Sequence, residues 1–149
     1  MAVPRSPLGR ERLSRRRASV VATGLFGLLG CGAPGEVQPE LRGPTVVDTE
    51  PSDGEVGVDT EIGALRVTFS ETMEPAGWSW VTEAGRSAPV VTGIPFFVDE
   101  RTNVMPVRLT PETSYVVWVN SPDDAELRKF ANPDGIPAPA YRIRFTTGD

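Results

Sequence analysis

The chain has 149 residues, 39% of them hydrophobic, with 15 Gly, 15 Pro, one Cys and no His. That length bounds one main domain, and the Gly and Pro content favours a turn-rich all-β fold over long helices. A lone Cys excludes an internal disulfide, the lack of His removes the commonest metal ligand and general base, and a net charge of −5 argues against nucleic acid, whose phosphates need clustered Lys and Arg.

The charge is split along the chain. Residues 1–30 hold six Arg and a single acidic residue, Glu11, whereas the remainder holds nine basic and nineteen acidic side chains. Basic Arg10–Arg17 is followed by the apolar run Val20–Leu29 and then by small residues, the order of a secretory signal. An apolar run of about ten residues is too short for a stable bilayer span, which needs about 20, so residues 1–30 are expected to be a cleaved export signal. Leu28-Leu29-Gly30-Cys31 resembles the bacterial lipobox. That resemblance implies diacylglyceryl attachment to the Cys31 thiol, cleavage just before it, and acylation of the new amine. Two or more acyl chains meet the requirement for stable anchoring that one chain does not. The membrane is thus an expected partner through lipid, since an acidic body has no electrostatic attraction to anionic lipid. Ser14-Arg15-Arg16 is similar to the start of a twin-arginine export motif, although Ala18 and Ser19 replace its apolar pair. Gly32 after the lipid site, by resemblance to didermal lipoproteins, implies outer-membrane sorting where the host has an outer membrane.

Residues 31–43 read as a flexible tether without periodicity, GAPGEVQPELRG following Cys31. Residues 44–149 are the candidate domain. Short β-rich runs separated by turn clusters predict strands near Thr45–Thr49, Leu65–Ser70, Trp78–Thr82, Val90–Ile94, Val104–Leu109, Ser114–Asn120 and Tyr141–Thr146. Seven strands in about a hundred residues predict an immunoglobulin-like β-sandwich. Period-two alternation puts Leu65, Val67 and Phe69 on one face, and likewise Tyr141, Ile143 and Phe145. In the run from Tyr115 to Val119 both faces are apolar, so either it is covered on both sides or Trp118 is exposed for a reason. Ahead of it, Leu109-Thr110-Pro111-Glu112-Thr113-Ser114-Tyr115 has the spacing of a tyrosine corner, in which the Tyr hydroxyl bonds back to nearby backbone.

With these landmarks, residues from about 44 to the end resemble the SbsA-type bacterial Ig-like domain of S-layer and other cell-surface proteins. The resemblance is carried by Pro44-Thr45-Val46-Val47-Asp48-Thr49-Glu50-Pro51-Ser52-Asp53-Gly54, by Val67-Thr68-Phe69-Ser70-Glu71-Thr72-Met73-Glu74-Pro75, by the tyrosine-corner segment, and by Phe145-Thr146-Thr147-Gly148. It implies a surface module acting as spacer, stalk or adhesion unit. Ser121–Ala140 departs from the family's short turn as an insert-like stretch, within which Ala125–Phe130 is a candidate helical turn.

G-x-S-x-G, P-loop and dinucleotide fingerprints are absent, so neither an enzyme activity nor a cofactor is expected and no catalytic residue is assigned. The acidic run Asp48, Glu50, Asp53, Glu55, Asp59, Glu61 reads as a solvated edge or as Ca²⁺ ligands, with Asp48, Asp53 and Asp59 the candidates. Trp78 and Trp80, two apart, share a face of any strand they occupy and read as core or, with Trp118, as a stacking platform for a glycan or peptide. The expected function is therefore a lipid-anchored cell-envelope protein with a structural, spacer or protein-interaction role. Its alternative is a surface module that binds carbohydrate or Ca²⁺.

Overall fold

The computed structural model describes residues 42–149. The proposed signal, Cys31 and all but the last two residues of the tether lie outside the described residues. Among the described residues nine strands are present: β1 (Val46–Glu50), β2 (Glu55–Val58), β3 (Ala64–Phe69), β4 (Trp80–Thr82), β5 (Val90–Val91), β6 (Phe96–Phe97), β7 (Thr102–Arg108), β8 (Ser114–Val119) and β9 (Tyr141–Thr147). One sheet runs β1-β3-β7-β5 with β6 also on β7, and the other runs β2-β9-β8-β4. The two sheets form an immunoglobulin-like sandwich.

All seven expected strands are found, with shifted ends, together with two more. β2 was hidden because Glu55 and Gly57 are poor strand formers; its order comes from parallel pairing with β9, Glu55 opposite Phe145 and Val56 opposite Thr146. β6 is the Phe96–Phe97 pair, held against Val104 and Asn103 of β7.

Alternation places the core as expected over most of its length. Leu65, Val67 and Phe69 of β3 are buried, as are Tyr115, Val117 and Val119 of β8 and Ile143 and Phe145 of β9. Tyr141 departs from this. It has the inward parity but stands at the first residue of β9 and remains 37% exposed. The doubly apolar β8 is covered on both faces. Val116 is buried beside the turn that ends at Ser87, whose carbonyl accepts its N–H at 3.4 Å.

The tyrosine corner forms. The Thr110 N–H donates to the Tyr115 hydroxyl at 2.8 Å, and the Tyr115 ring packs 5.3 Å from that of Phe145. The Phe-Thr-Thr-Gly ending closes the same end of the sandwich. The buried Thr147 hydroxyl donates to the Thr110 carbonyl at 2.6 Å and accepts from the Thr113 N–H at 2.9 Å. Gly148 then donates to the Val58 carbonyl and accepts from the Glu112 N–H, both at 2.9 Å.

The opposite end is built by the insert. Its expected helical turn is a single 3-10 turn, Ala125–Leu127, capped by the Asp124 carboxylate on the Glu126 N–H at 2.9 Å. Beyond it, Phe130 is fully buried against Phe69, Trp80 and Phe97 at ring separations of 5.1, 5.9 and 6.2 Å. Asn120, at φ 60 and fully buried, holds it there. Its Nδ2 donates to the carbonyls of Phe130 at 3.0 Å and Ala138 at 2.9 Å, and its Oδ1 accepts from the Phe130 N–H at 3.0 Å. Asn tolerates the left-handed backbone better than any other residue with a side chain able to make these bonds. The β3–β4 connection lies alongside. Ser79 donates to the Leu127 carbonyl at 2.6 Å, and a Cβ at Gly77 would collide with the Lys129 carbonyl.

Replacing Asn120 with Gly keeps the backbone conformation but leaves two buried backbone groups, the Phe130 N–H and the Ala138 carbonyl, without partners, each worth about 1–3 kcal/mol; the Phe130 carbonyl keeps the Ala138 N–H at 2.9 Å. We expect Asn120→Gly to lower unfolding free energy by about 3 kcal/mol, read as a lower midpoint in urea denaturation at unchanged slope. A loss under about 0.5 kcal/mol would show that the insert is held by other contacts.

Candidate functional site

The three tryptophans occupy three different environments. β4 pairs with β8 so that Trp80 opposes Val119 and Val81 opposes Trp118. Because neighbours alternate, Trp80 faces the core while Trp118 faces outward. Trp80 donates from Nε1 to the Asn103 Oδ1 at 2.9 Å and meets the Phe130 ring edge-on. Asn103 is itself fully buried in β7, and this bond fixes which way its carboxamide points; its Nδ2 has no partner among the described residues. Trp78 lies ahead of β4 rather than on it, 38% exposed, between the insert-contacting residues Gly77 and Ser79. The two-residue spacing therefore does not place Trp78 and Trp80 on one strand face, and the three indoles do not meet.

Trp118 belongs instead to a polar cluster on the outer face of the β2-β9-β8-β4 sheet. It stands opposite Arg142 of β9, whose guanidinium carbon is 5.8 Å from the indole centre, within cation–π range. Glu83, just after β4, accepts from the Trp118 Nε1 at 3.1 Å and takes both forks of Arg142, at 3.0 and 2.9 Å. Arg86 approaches the same carboxylate at 3.6 Å. These donors hold the Glu83 carboxyl below the usual carboxylate range, the Trp118 hydrogen bond first and Arg142 next among the causes that lower it. Two residues along β9, Arg144 makes a second forked pair with Asp53 at 3.1 Å, and its N–H donates to the same carboxylate at 2.8 Å. Asp53 is lowered by the Arg144 side-chain bonds and Arg144 is raised by Asp53. Between them runs an open groove of about 420 Å³ lined by Arg86, Arg142, Arg144, Glu55, Tyr115 and Thr146. Its arginines already hold carboxylates of the chain itself.

The acidic residues singled out as Ca²⁺ candidates are not brought together, and two of the three are engaged elsewhere. Asp48 sits on β1 opposite Thr68, Asp53 holds Arg144, and Asp59 caps a short turn by accepting from the Glu61 N–H at 2.8 Å. Among the described residues, no group of three or more His, Cys, Asp or Glu is arranged to hold a metal ion. No helix among them is long and apolar enough to cross a membrane. The Glu83–Arg142–Trp118 cluster escaped sequence reading because only register makes these residues neighbours. The outward parity of Arg142 and Arg144 was the one visible signal.

The profile of a family described as "Bacterial Ig-like domain" matches residues 41–147. No curated protein matches the chain. Among solved structures, the chain is similar to surface layer protein SbsC, domains 1-6, at 13% identity and a TM-score of 0.45, covering 72% of this chain and 14% of that one. It is also similar to the S-layer protein rSbsC(31-844), at 13% identity and a TM-score of 0.43, covering 70% and 14%.

A carboxyl lowered in the folded state stabilises fully above its unfolded value and loses that contribution as pH falls through the folded value. Glu83 and Asp53 are both of this kind, so their pairs should hold at neutral pH and fail from about pH 4 downward. In thermal melts from pH 7 to pH 3, the double variant Arg142→Met, Arg144→Met should lose less stability than the parent over that acid limb. Parallel curves would show that the two pairs are not the titrating elements.

Proposed function

The chain belongs to the bacterial Ig-like domain family across residues 41–147, and from that premise we propose that it is a lipid-anchored cell-envelope protein whose sandwich serves as a spacer or protein-interaction module. The observation that carries this reading is the position of Leu28-Leu29-Gly30-Cys31, at the end of an apolar run and just ahead of the sandwich. The twelve residues Gly32–Gly43 between them reach about 40 Å when fully extended and about 20 Å on average as a flexible coil. That is enough to clear a headgroup layer.

The geometry of the domain supports a spacer. Gly43 enters against Ile136 and Pro137 of the insert, whereas Gly148 leaves against Val58 and Glu112 at the tyrosine-corner end. The seven-residue β9, running from the first end to the second, spans about 20 Å. A module that adds length needs its chain to enter and leave at opposite ends. The acidic body supports partners other than nucleic acid, and no catalytic role is proposed. The alternative of a carbohydrate- or Ca²⁺-binding module has less support, since Trp78, Trp80 and Trp118 share no face and Asp48, Asp53 and Asp59 no centre. With Gly32 after the lipid site, the proposed location is the envelope, and the outer membrane in a didermal host.

In cells fed labelled fatty acid, the parent should carry label and sediment with membranes, while Cys31→Ser should carry none and appear in the soluble fraction. Label retained by Cys31→Ser would refute the anchor.

A further inference from the structure

The longest uncharged run among the described residues is Ser87–Val98, bounded by Arg86 and Asp99. It also carries five of the ten exposed large hydrophobic residues: Val90 (51%), Val91 (52%), Ile94 (78%), Phe96 (49%) and Val98 (49%). β5 and β6 lie in this run and both pair antiparallel with β7, Val91 opposite Val107 and Phe96 opposite Val104. Together they make one interrupted edge strand whose outer side is paired with no strand among the described residues. Edges of this kind are usually protected by charged side chains. Here Pro95 and the bend at Gly93 interrupt the edge, but no charge within the run guards it.

We infer that this edge is a self-association surface, on which a second copy of the chain packs its own Val90–Val98 segment in antiparallel, two-fold arrangement. Charge selects that occupant. The domain is acidic, with 17 acidic and nine basic side chains in residues 42–149, so most faces of two copies repel. The segment itself has no charge, but its ends are of opposite sign. Exposed Arg108 stands opposite Val90 at one end, and Asp99, Glu100 and Arg101, one negative charge in sum, follow Val98 at the other. A two-fold axis near Ile94 lays the Arg108 end of each copy against the Asp99–Glu100 end of the other, and buries the most exposed apolar side chain at the centre. A parallel approach sets like ends together. Nine residues a side is well below the roughly 20–30 of a standard interface, so the pair is weak and strengthens with local concentration. The inference does not depend on the lipid anchor.

The test uses the full chain carrying Cys31→Ser, in which an added cysteine is the sole thiol, and a short bis-maleimide cross-linker. Ile94→Cys should give several-fold more covalent dimer than Val47→Cys, an exposed control on the other edge of the same sheet. A mixture of Val90→Cys and Val98→Cys should cross-link better than either alone. In sedimentation at rising concentration, Ile94→Lys should remove the shift toward dimer without changing the melting temperature. Equal dimer from Ile94→Cys and Val47→Cys overturns the inference, as does self-linking by Val90→Cys that exceeds the mixture. Cross-linking of Ile94→Cys only to another envelope protein would assign the edge to a foreign partner and overturn it too.

Discussion

The carboxamide of Asn120 is the contact on which one whole end of the sandwich depends. β8 ends there, and the chain must travel twenty residues, Ser121–Ala140, before β9 begins. A connection of that length with one 3-10 turn would ordinarily lie on the surface, because its backbone groups have no ladder to join. Asn120 supplies the missing partners. By bonding both polar groups of Phe130 and the carbonyl of Ala138, it lets a phenylalanine from a loop enter the core without orphaned donors or acceptors. Phe130 then fills the space between Phe69 of one sheet and Trp80 of the other, and so the insert becomes part of the core. The β3–β4 connection inherits its position from this arrangement, through Ser79 on Leu127 and the Glu74 N–H on the Ala131 carbonyl at 2.8 Å.

The two ends of the domain are thus closed by different means. At the tyrosine corner, short side chains close to one another in sequence and the terminal strand do the work, and a single hydroxyl, that of Thr147, serves the 110–113 turn on both sides. At the insert end a long excursion is folded back by one amide. The outer face of the β2-β9-β8-β4 sheet follows a third pattern, in which forked Arg–carboxylate pairs tie the strand to the flanking turns through Glu83 and Asp53. These pairs are partly solvent-exposed, where each contributes little alone. Their geometric value is to fix the turns after β4 and before β2 against β9.

What could be read from the sequence was whatever depends on local order. The alternation of Leu65, Val67 and Phe69, and of Ile143 and Phe145, follows from the two-residue strand period, and the tyrosine corner from a seven-residue spacing. What could not be read depends on register and on distant contact. β2 becomes a strand only because β9 runs beside it, and Tyr141, at the first residue of its strand, stays exposed despite its parity. Trp78 and Trp80 share a parity, but the strand begins at Trp80, so parity had nothing to act upon at Trp78. The candidate site suffered most for this reason. Residue type marks Asp48, Asp53, Asp59 and the tryptophans as able to bind, but type says nothing about whether three side chains converge.

The same distinction bears on how an acidic module of this kind meets its surroundings. Its charged groups are largely committed internally: Arg142 and Arg144 hold Glu83 and Asp53, while Asp59, Asp99 and Asp124 cap turns. Groups already bonded within the chain must give up those bonds before they can recruit a ligand, so the charged face is a poor place to begin recognition. The uncommitted surface lies where the chain has no charge at all, along β5 and β6. Under the proposed lipid anchor, confinement to a layer would raise the frequency with which such edges meet. A weak contact is then sufficient, and the long-range repulsion of the acidic bodies keeps it from becoming aggregation.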